Sequence, residues 1–224
     1  LTDQIYFEVS ASDKFEALCR IIDIEKEFYG LILCRTKINV DEIASNLVDR
    51  GYDADAIHGD ISQHQREKIL NKFKNRRISI LVATDVAARG IDIVDMTHVI
   101  NYSLPQDPES YVHRIGRTGR AGKEGTAITF VTPSESRNLF FIKKIAKTEI
   151  RKEKLPEIED IIETKRSRIK DELSNIIRTD DYNNYVKMAQ ELLDKNEPEN
   201  VLAALLKYSL QDKLDERYYN EIRG

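Results

Sequence analysis

Residues Tyr111–Arg120 read YVHRIGRTGR and set three arginines, Arg114, Arg117 and Arg120, three residues apart with Gly116 and Gly119 between them. Guanidinium forks match phosphate oxygens two at a time and stay charged at any biological pH. The glycines permit positive φ and close approach of backbone to a ligand. Cations so arranged suit phosphoryl transfer, where they are aimed at charge on the transferring group. A lone arginine cluster is more often a solvated patch. Here three further polar segments accompany it: LILCRTK (Leu31–Lys37), HGDISQHQR (His58–Arg66) and ATDVAARGID (Ala83–Asp92). Their hydroxyl, guanidinium and backbone N–H groups hold phosphates and read no bases, so binding to a nucleic acid would be independent of its sequence. None of these loops carries an aromatic platform, which argues against recognition by base stacking.

Positioning such groups requires a frame, and the first 150 residues supply one. Short β-branched runs at Ile5–Val9, Leu31–Cys34, Ala54–Ile57, Ile80–Ala83, His98–Asn101 and Thr126–Val131 read as strands. Between them, Lys14–Ile24, Ile38–Arg50, Gln63–Asn75, Glu109–Ile115 and Glu135–Thr148 show helical spacing, as in Ile43, Leu47 and Val48 or Ile69, Leu70 and Phe73. Gly51, Gly59, Gly90 and Gly125 punctuate the changes. Strands alternating with helices predict an α/β fold with a mostly parallel sheet covered on both faces. Ligands of such sheets bind outside the carboxyl ends of the strands. The loops after Cys34, Ile57, Ala83 and Asn101 are therefore where the chemistry is expected.

From residue 152 onward the pattern changes. Three helical segments are expected, near Pro156–Arg178, Tyr182–Lys195 and Pro198–Leu210, with Pro156 and Pro198 at helix starts. Ile158, Ile161 and Ile162 form one apolar stripe. A second holds Leu192 and Leu193, and a third Val201, Leu202, Leu205 and Leu206. Three short helices bury little core alone, so these stripes want a partner surface, on residues 1–151 or on another chain. The expected division is therefore 1–151, an α/β domain, and 152–224, a small all-helical one.

Composition is that of a globular chain, 41% hydrophobic and 33% charged. No apolar run reaches the roughly 20 residues of a membrane span. The chain begins at Leu1 and reads as part of something longer. Its net charge of −4 belongs to the tail: residues 1–151 carry 22 basic and 22 acidic side chains, residues 152–224 carry 13 and 17. A neutral first part still accommodates a local basic cleft. Cys19 and Cys34 lie in apolar stretches without metal-ligand spacing and read as buried thiols in a reducing cytoplasm. His58 and His64 have no third ligand nearby, so no metal is expected; His98 and the Tyr218–Tyr219 pair read as structural.

The four motifs, in this order and each at a strand end, resemble the second RecA-like domain of the DEAD-box RNA helicases, over roughly residues 1–150. The resemblance implies that Arg117 and Arg120 reach the phosphates of an ATP held by another domain, with His113 coupling that site to the first domain. It implies that Asp92 contacts the ribose, with Gly90 allowing the backbone to turn there. Arg35, Thr36, Gly59, Asp60, Gln63, Arg66 and Thr84 would line the RNA backbone, and Asp85 would link the RNA and ATP sides. The family usually has Phe where this chain has Leu33, a modest packing difference behind the arginine motif. The tail more loosely resembles the dimerisation extension of the bacterial cold-shock type, which makes Leu192, Leu193, Val201, Leu202, Leu205 and Leu206 the expected dimer contacts.

The chain has no GxxxxGK[ST] loop to cradle phosphates and no Asp-Glu-Ala-Asp segment to hold Mg²⁺. The resemblance places both on a preceding RecA-like domain, so residues 1–224 alone should not hydrolyse ATP. The implied partners are ATP with Mg²⁺, RNA, that domain and a second copy of the chain. Two rival readings are a non-catalytic RNA-binding module and a DNA-directed helicase; the intact motif set disfavours the first, and the His-Arg-Ile-Gly-Arg form of the last motif the second.

Overall fold

The computed structural model describes residues 2–91, 93, 95–119, 124–179 and 181–222. By contact density the chain divides into two compact units. One runs to Leu155 and includes Ile222; the other is Pro156–Glu221.

The first unit is built on seven strands: β1 (Thr2–Glu8), β2 (Gly30–Cys34), β3 (Ala54–Ile57), β4 (Ile80–Thr84), β5 (His98–Asn101), β6 (Gly125–Val131) and β7 (Arg151–Lys152). Their order is β3-β4-β2-β5-β6-β1-β7, and every neighbouring pair is parallel. All carboxyl ends therefore lie along one edge. The central strands are apolar on both sides, as covering from both faces demands: GLILC of β2 is buried throughout. The connecting helices are α1 (Lys14–Ile24), α2 (Lys37–Asp49), α3 (Gln63–Lys74), the single turn α4 (Asp85–Ala88), α5 (Pro108–Ile115) and α6 (Ser136–Ala146).

Alternate residues of each strand enter opposite cores. Ile32, Val82, Ile100, Ile128 and Phe130 pack with Leu18, Ile21, Ile43 and Leu47 of α1 and α2. Leu31, Leu33, Leu81, Ala83 and Val99 pack with Ile69 and Phe73 of α3. A third cluster joins Tyr111 of α5, Leu139 and Ile142 of α6, and Val131.

The second unit contains α7 (Ile158–Thr179), α8 (Val186–Leu193) and α9 (Pro198–Leu210), with 3-10 turns at Asn183–Tyr185 and Glu216–Tyr218. Pro198 opens its helix as expected, whereas α7 begins two residues beyond Pro156. Tyr218 and Tyr219 meet edge to face at 5.4 Å with the Lys165 ammonium over both rings, so the pair is a packing device. No residue of α8 or α9 is fully buried.

Besides short 3-10 turns, among them Ala11–Asp13 and Pro133–Glu135, two elements lie outside the expected set. The turn α4 is too short to show a period, and β7 is an Arg-Lys pair with no apolar signal, held to β1 at Ile5 and Tyr6.

Candidate functional site

The carboxyl edge is assembled by strand-to-helix turns in which the residue just before each helix caps it. Thr36 accepts from Asn39 N at 3.2 Å to start α2, and Ser62 accepts from Gln65 N at 3.2 Å to start α3. Thr84 accepts from Ala87 N at 3.4 Å, and Asp107 accepts from Ser110 N at 2.8 Å with Pro108 in the first turn of α5. The caps satisfy N–H groups that a helix start leaves orphaned. The positive ends of α2 and α3 thereby sit on the edge where an anionic chain would be held.

Arg114 organises this edge from within. Its side chain is 5% exposed. Nε and Nη2 donate to the two carboxylate oxygens of Asp85 at 2.6 Å each, and Nη1 donates to Asn101 Oδ1 at 3.1 Å and Ser103 O at 2.7 Å. Asn101, fully buried, donates in turn to Thr129 Oγ1 at 3.0 Å. Each of the three guanidinium nitrogens thus has a protein acceptor, as a buried cation requires. Arg114 is thus committed to the protein and is not a cation left for a ligand.

Arg117 differs. It lies two residues beyond the end of α5 and is half-buried. Among the described residues its guanidinium has no carboxylate partner, only a long contact from Nη1 to Ile91 O at 3.5 Å. It borders two cavities. One, of about 400 Å³, is shared with Leu33, Asp85, Ala88, Arg89, Ser110, His113 and Arg114. The other, of about 530 Å³, is shared with residues that include Arg76, Asp95, Thr118 and Gly119. His113 is exposed on the rim of the first, and Leu33 sits behind the arginine motif as expected.

The arginine loop is pinned by Thr118, whose buried hydroxyl donates to Met96 O at 2.6 Å. Gly119 takes a φ of +67°, whereas Gly116, at φ −65°, needs no glycine-only conformation. Gly90 takes φ +76°, the turn expected of it. Arg120 and Asp92, the expected second phosphate cation and ribose contact, lie outside the described residues.

The residues assigned to RNA come from the ends of β2, β3 and β4. Arg35 and Thr36 are exposed, and Arg35 Nη2 reaches Leu104 O at 3.3 Å. Gly59 and Asp60 are exposed, and Asp60 pairs with Lys37 across the two loops. That hydrogen bond holds the Asp60 carboxyl below the usual carboxylate range. Gln63 bonds Glu67 at 2.9 Å, and Arg66 Nη2 donates to Ala87 O at 2.7 Å, which ties the start of α3 to α4. Thr84 and Asp85 are half-buried at the start of α4.

His58 has a role that its sequence spacing did not reveal. Its Nδ1 accepts from Asp60 N at 3.3 Å, which leaves the proton on Nε2 to bond Asp41 at 2.8 Å. The ring thus props the Gly59–Asp60 loop. Asn101 was equally hidden in a strand; a buried amide in an apolar run signals a required partner. Among the described residues no three His, Cys, Asp or Glu side chains are grouped to hold a metal ion, and no helix is long and apolar enough to cross a membrane.

The parallel sheet thus presents at its carboxyl edge capped helix starts, hydroxyls and a guanidinium with no carboxylate partner among the described residues, groups of the kind that hold phosphate. Comparison with known proteins identifies the family. The helicase conserved C-terminal domain family matches residues 13–122, and the RNA helicase DeaD dimerization domain family matches residues 156–218. DEAD-box ATP-dependent RNA helicase CshA of Geobacillus kaustophilus is 47% identical over 204 residues, 91% of this chain and 44% of the relative. Its Bacillus subtilis counterpart is 44% identical over 95% of this chain and 43% of its own length. Among solved structures, a DEAD box protein from Methanococcus jannaschii aligns at TM-score 0.64 with 54% identity, covering 68% of this chain and 42% of that one. The C-terminal domain of the DEAD-box protein Dbp5 aligns at TM-score 0.65 with 31% identity, covering 71% and 94%. The chain belongs to the DEAD-box RNA helicases: it comprises their RecA-like C-terminal domain and a dimerisation extension of the bacterial cold-shock type. It spans less than half the length of the curated relatives it matches.

Proposed function

We propose that this chain is the moving half of an ATP-driven RNA-remodelling enzyme, one wall of an active site whose other wall is a preceding RecA-like domain. That domain would hold the triphosphate and its Mg²⁺. This half brings Arg117 and Arg120 to the phosphates, Asp92 and Gly90 to the ribose, and His113 to the contact between domains. Arg35, Thr36, Gly59, Asp60, Gln63, Arg66, Thr84 and Asp85 take the RNA backbone without regard to sequence. ATP and RNA binding together close the two domains and distort a short duplex, and loss of the γ-phosphate reopens them. Without the first domain the chain is inactive. In this reading the protein works in the cytoplasm as a dimer joined through α8 and α9.

The observation that carries the reading is the contrast between two arginines. Arg114 is paired with a carboxylate and two further protein acceptors, while Arg117 stands at the edge with no carboxylate partner among the described residues. A guanidinium held at a cavity without a counter-ion suits an anionic ligand. An arginine finger contributes roughly 10³-fold or more to phosphoryl transfer. Arg117→Ala or Arg120→Ala in the full-length protein should therefore cut RNA-stimulated ATP hydrolysis by about that factor and leave RNA affinity without nucleotide nearly unchanged. ATPase near the wild-type rate in both variants removes the finger role.

A further inference from the structure

A basic face of α3 lies outside the residues assigned to RNA above. Residues 63–77 hold six basic side chains against one acidic, Glu67, whereas residues 1–151 as a whole balance at 22 basic and 22 acidic. Three of the six are engaged: Arg66 with Ala87 O, Lys72 with Asp55 at 3.1 Å, and Arg76 with Glu27 at 2.7 Å beneath the Tyr29 ring. Lys68, Lys74 and Arg77 are exposed and have no carboxylate partner among the described residues, and two of them, Lys68 and Arg77, border one groove.

These two are not scattered. His64, Lys68, Asn71 and Asn75 recur every three or four positions and so share one side of the helix. With Glu67, Lys72 and Arg77 they border an open groove of about 780 Å³. The helix starts at Gln63, in the proposed RNA edge, and its 12 residues carry the groove about 18 Å away from it.

The lining decides the partner. Among the described residues no aliphatic side chain and no phenyl ring borders the groove, whereas a protein interface needs an apolar centre. Ammonium, guanidinium and amide groups along the track suit phosphate oxygens and ribose hydroxyls, and the carboxylate on it, Glu67, is engaged by Gln63 at 2.9 Å. We infer that the α3 groove takes the sugar-phosphate backbone of RNA flanking the strand held at the carboxyl edge, and so lengthens the footprint beyond the core site. The inference rests on the proposed RNA role of that edge.

The test compares oligouridylates of 6 and 20 nucleotides, titrated by fluorescence anisotropy against the full-length protein with a non-hydrolysable ATP analogue over a range of salt. Removing two phosphate contacts lowers the slope of log affinity against log salt by about 1.4 for a single strand. The Lys68→Gln/Arg77→Gln variant should show that change with the 20-mer, with several-fold weaker binding at moderate salt, and bind the 6-mer as the wild type does. Lys68→Arg/Arg77→Lys, which keeps both charges, should match the wild type on both. An unchanged 20-mer slope overturns the inference and leaves the groove to an acidic protein or to solvent. Equal losses on both oligomers overturn it too, because the cations would then serve the core site. A wild-type protein that binds neither oligomer removes the RNA reading of the edge itself, which is a different failure.

Discussion

The Asn101 side-chain oxygen accepts a hydrogen bond from Arg114 Nη1 at 3.1 Å in the floor of the site. Through it, Thr129 of β6, Asn101 of β5, Arg114 of α5 and Asp85 of α4 form one chain of side chains. The chain joins the middle of the sheet to the turn where the proposed RNA and nucleotide surfaces meet. Because every link is buried or half-buried and satisfied, its geometry is rigid, and α4 inherits that rigidity.

Breaking the chain at its charged link has a defined cost. Asp85→Ala leaves the Arg114 guanidinium buried without its counter-ion. The penalty should be about 2–4 kcal/mol, near the low end for a buried pair because the Asp85 side chain is 40% exposed. Removing both partners, as Asp85→Ala with Arg114→Leu, takes away the stranded charge and should recover part of that loss. Urea unfolding of the two single variants and the double variant measures the coupling. Strict additivity would show that the two side chains do not depend on each other.

Gly125 opens β6 directly against the arginine loop. A Cβ there would stand 2.1 Å from Thr118 Oγ1 and 2.4 Å from Gly119 N, distances that no side-chain carbon tolerates. Since Thr118 anchors the loop to Met96, Gly125→Ala must displace the loop that carries Arg117. The expected result is a loss of about 2 kcal/mol or more in stability, with ATPase in the full-length protein falling further than the stability loss explains. Gly90→Ala is the control: it meets nothing within 4 Å and bears only the strain of φ +76°, about 1 kcal/mol. Thermal unfolding of both variants separates clash from strain, and similar losses would discount the loop contact.

Burial sets the chemistry of the two thiols. Cys19 and Cys34 are free and fully enclosed, and desolvation pushes both up to about 12 from an ordinary 9.0. A thiol raised on folding contributes stability that is complete below the unfolded value. That contribution is lost as pH rises from about 9 toward 12, because the unfolded thiols ionise first and the folded ones do not. Native protein at pH 8 should therefore resist iodoacetamide under conditions where urea-unfolded protein is alkylated at both positions. Intact-mass spectrometry reads the result, and rapid labelling of either cysteine in the folded state would contradict the enclosure.

Much of this arrangement is legible in the amino-acid sequence. Apolar runs at Leu31–Cys34 and Ile80–Ala83 mark central strands because both of their sides must be covered, and β3 and β5 fall on their expected bounds. Spacing alone does not separate Arg114 from Arg117. The distinction depends on α5 ending at Ile115, which turns Arg114 into the sheet edge and leaves Arg117 beyond the last turn. Strand β1 begins at Thr2, earlier than its β-branched core suggests, because pairing with β6 recruits polar Asp3 and Gln4. His58 and Asn101 looked ordinary because their partners, Asp41 and Arg114, are distant in the chain.

The residues expected to join two copies do not form one uniform surface. Leu192, Val201 and Leu205 border a largely apolar groove of about 1060 Å³ between α8 and α9, together with Met188 and Tyr208. Leu193 and Leu202 are 45% and 57% exposed, and Leu206 is half-buried and does not border the groove. If a second copy fills the groove, the contact is isologous and its centre is Leu205, which is 48% exposed in the single chain. Leu205→Asp should convert a dimer into monomers in sedimentation equilibrium, because a carboxylate at the apolar centre must be desolvated without a partner. Leu206→Asp should weaken the dimer less and destabilise the chain more, since that side chain is turned further inward. A wild-type chain that sediments as a monomer at high concentration would end the dimer reading, while the account of Arg117 and the carboxyl edge would stand, because none of its contacts involves these helices.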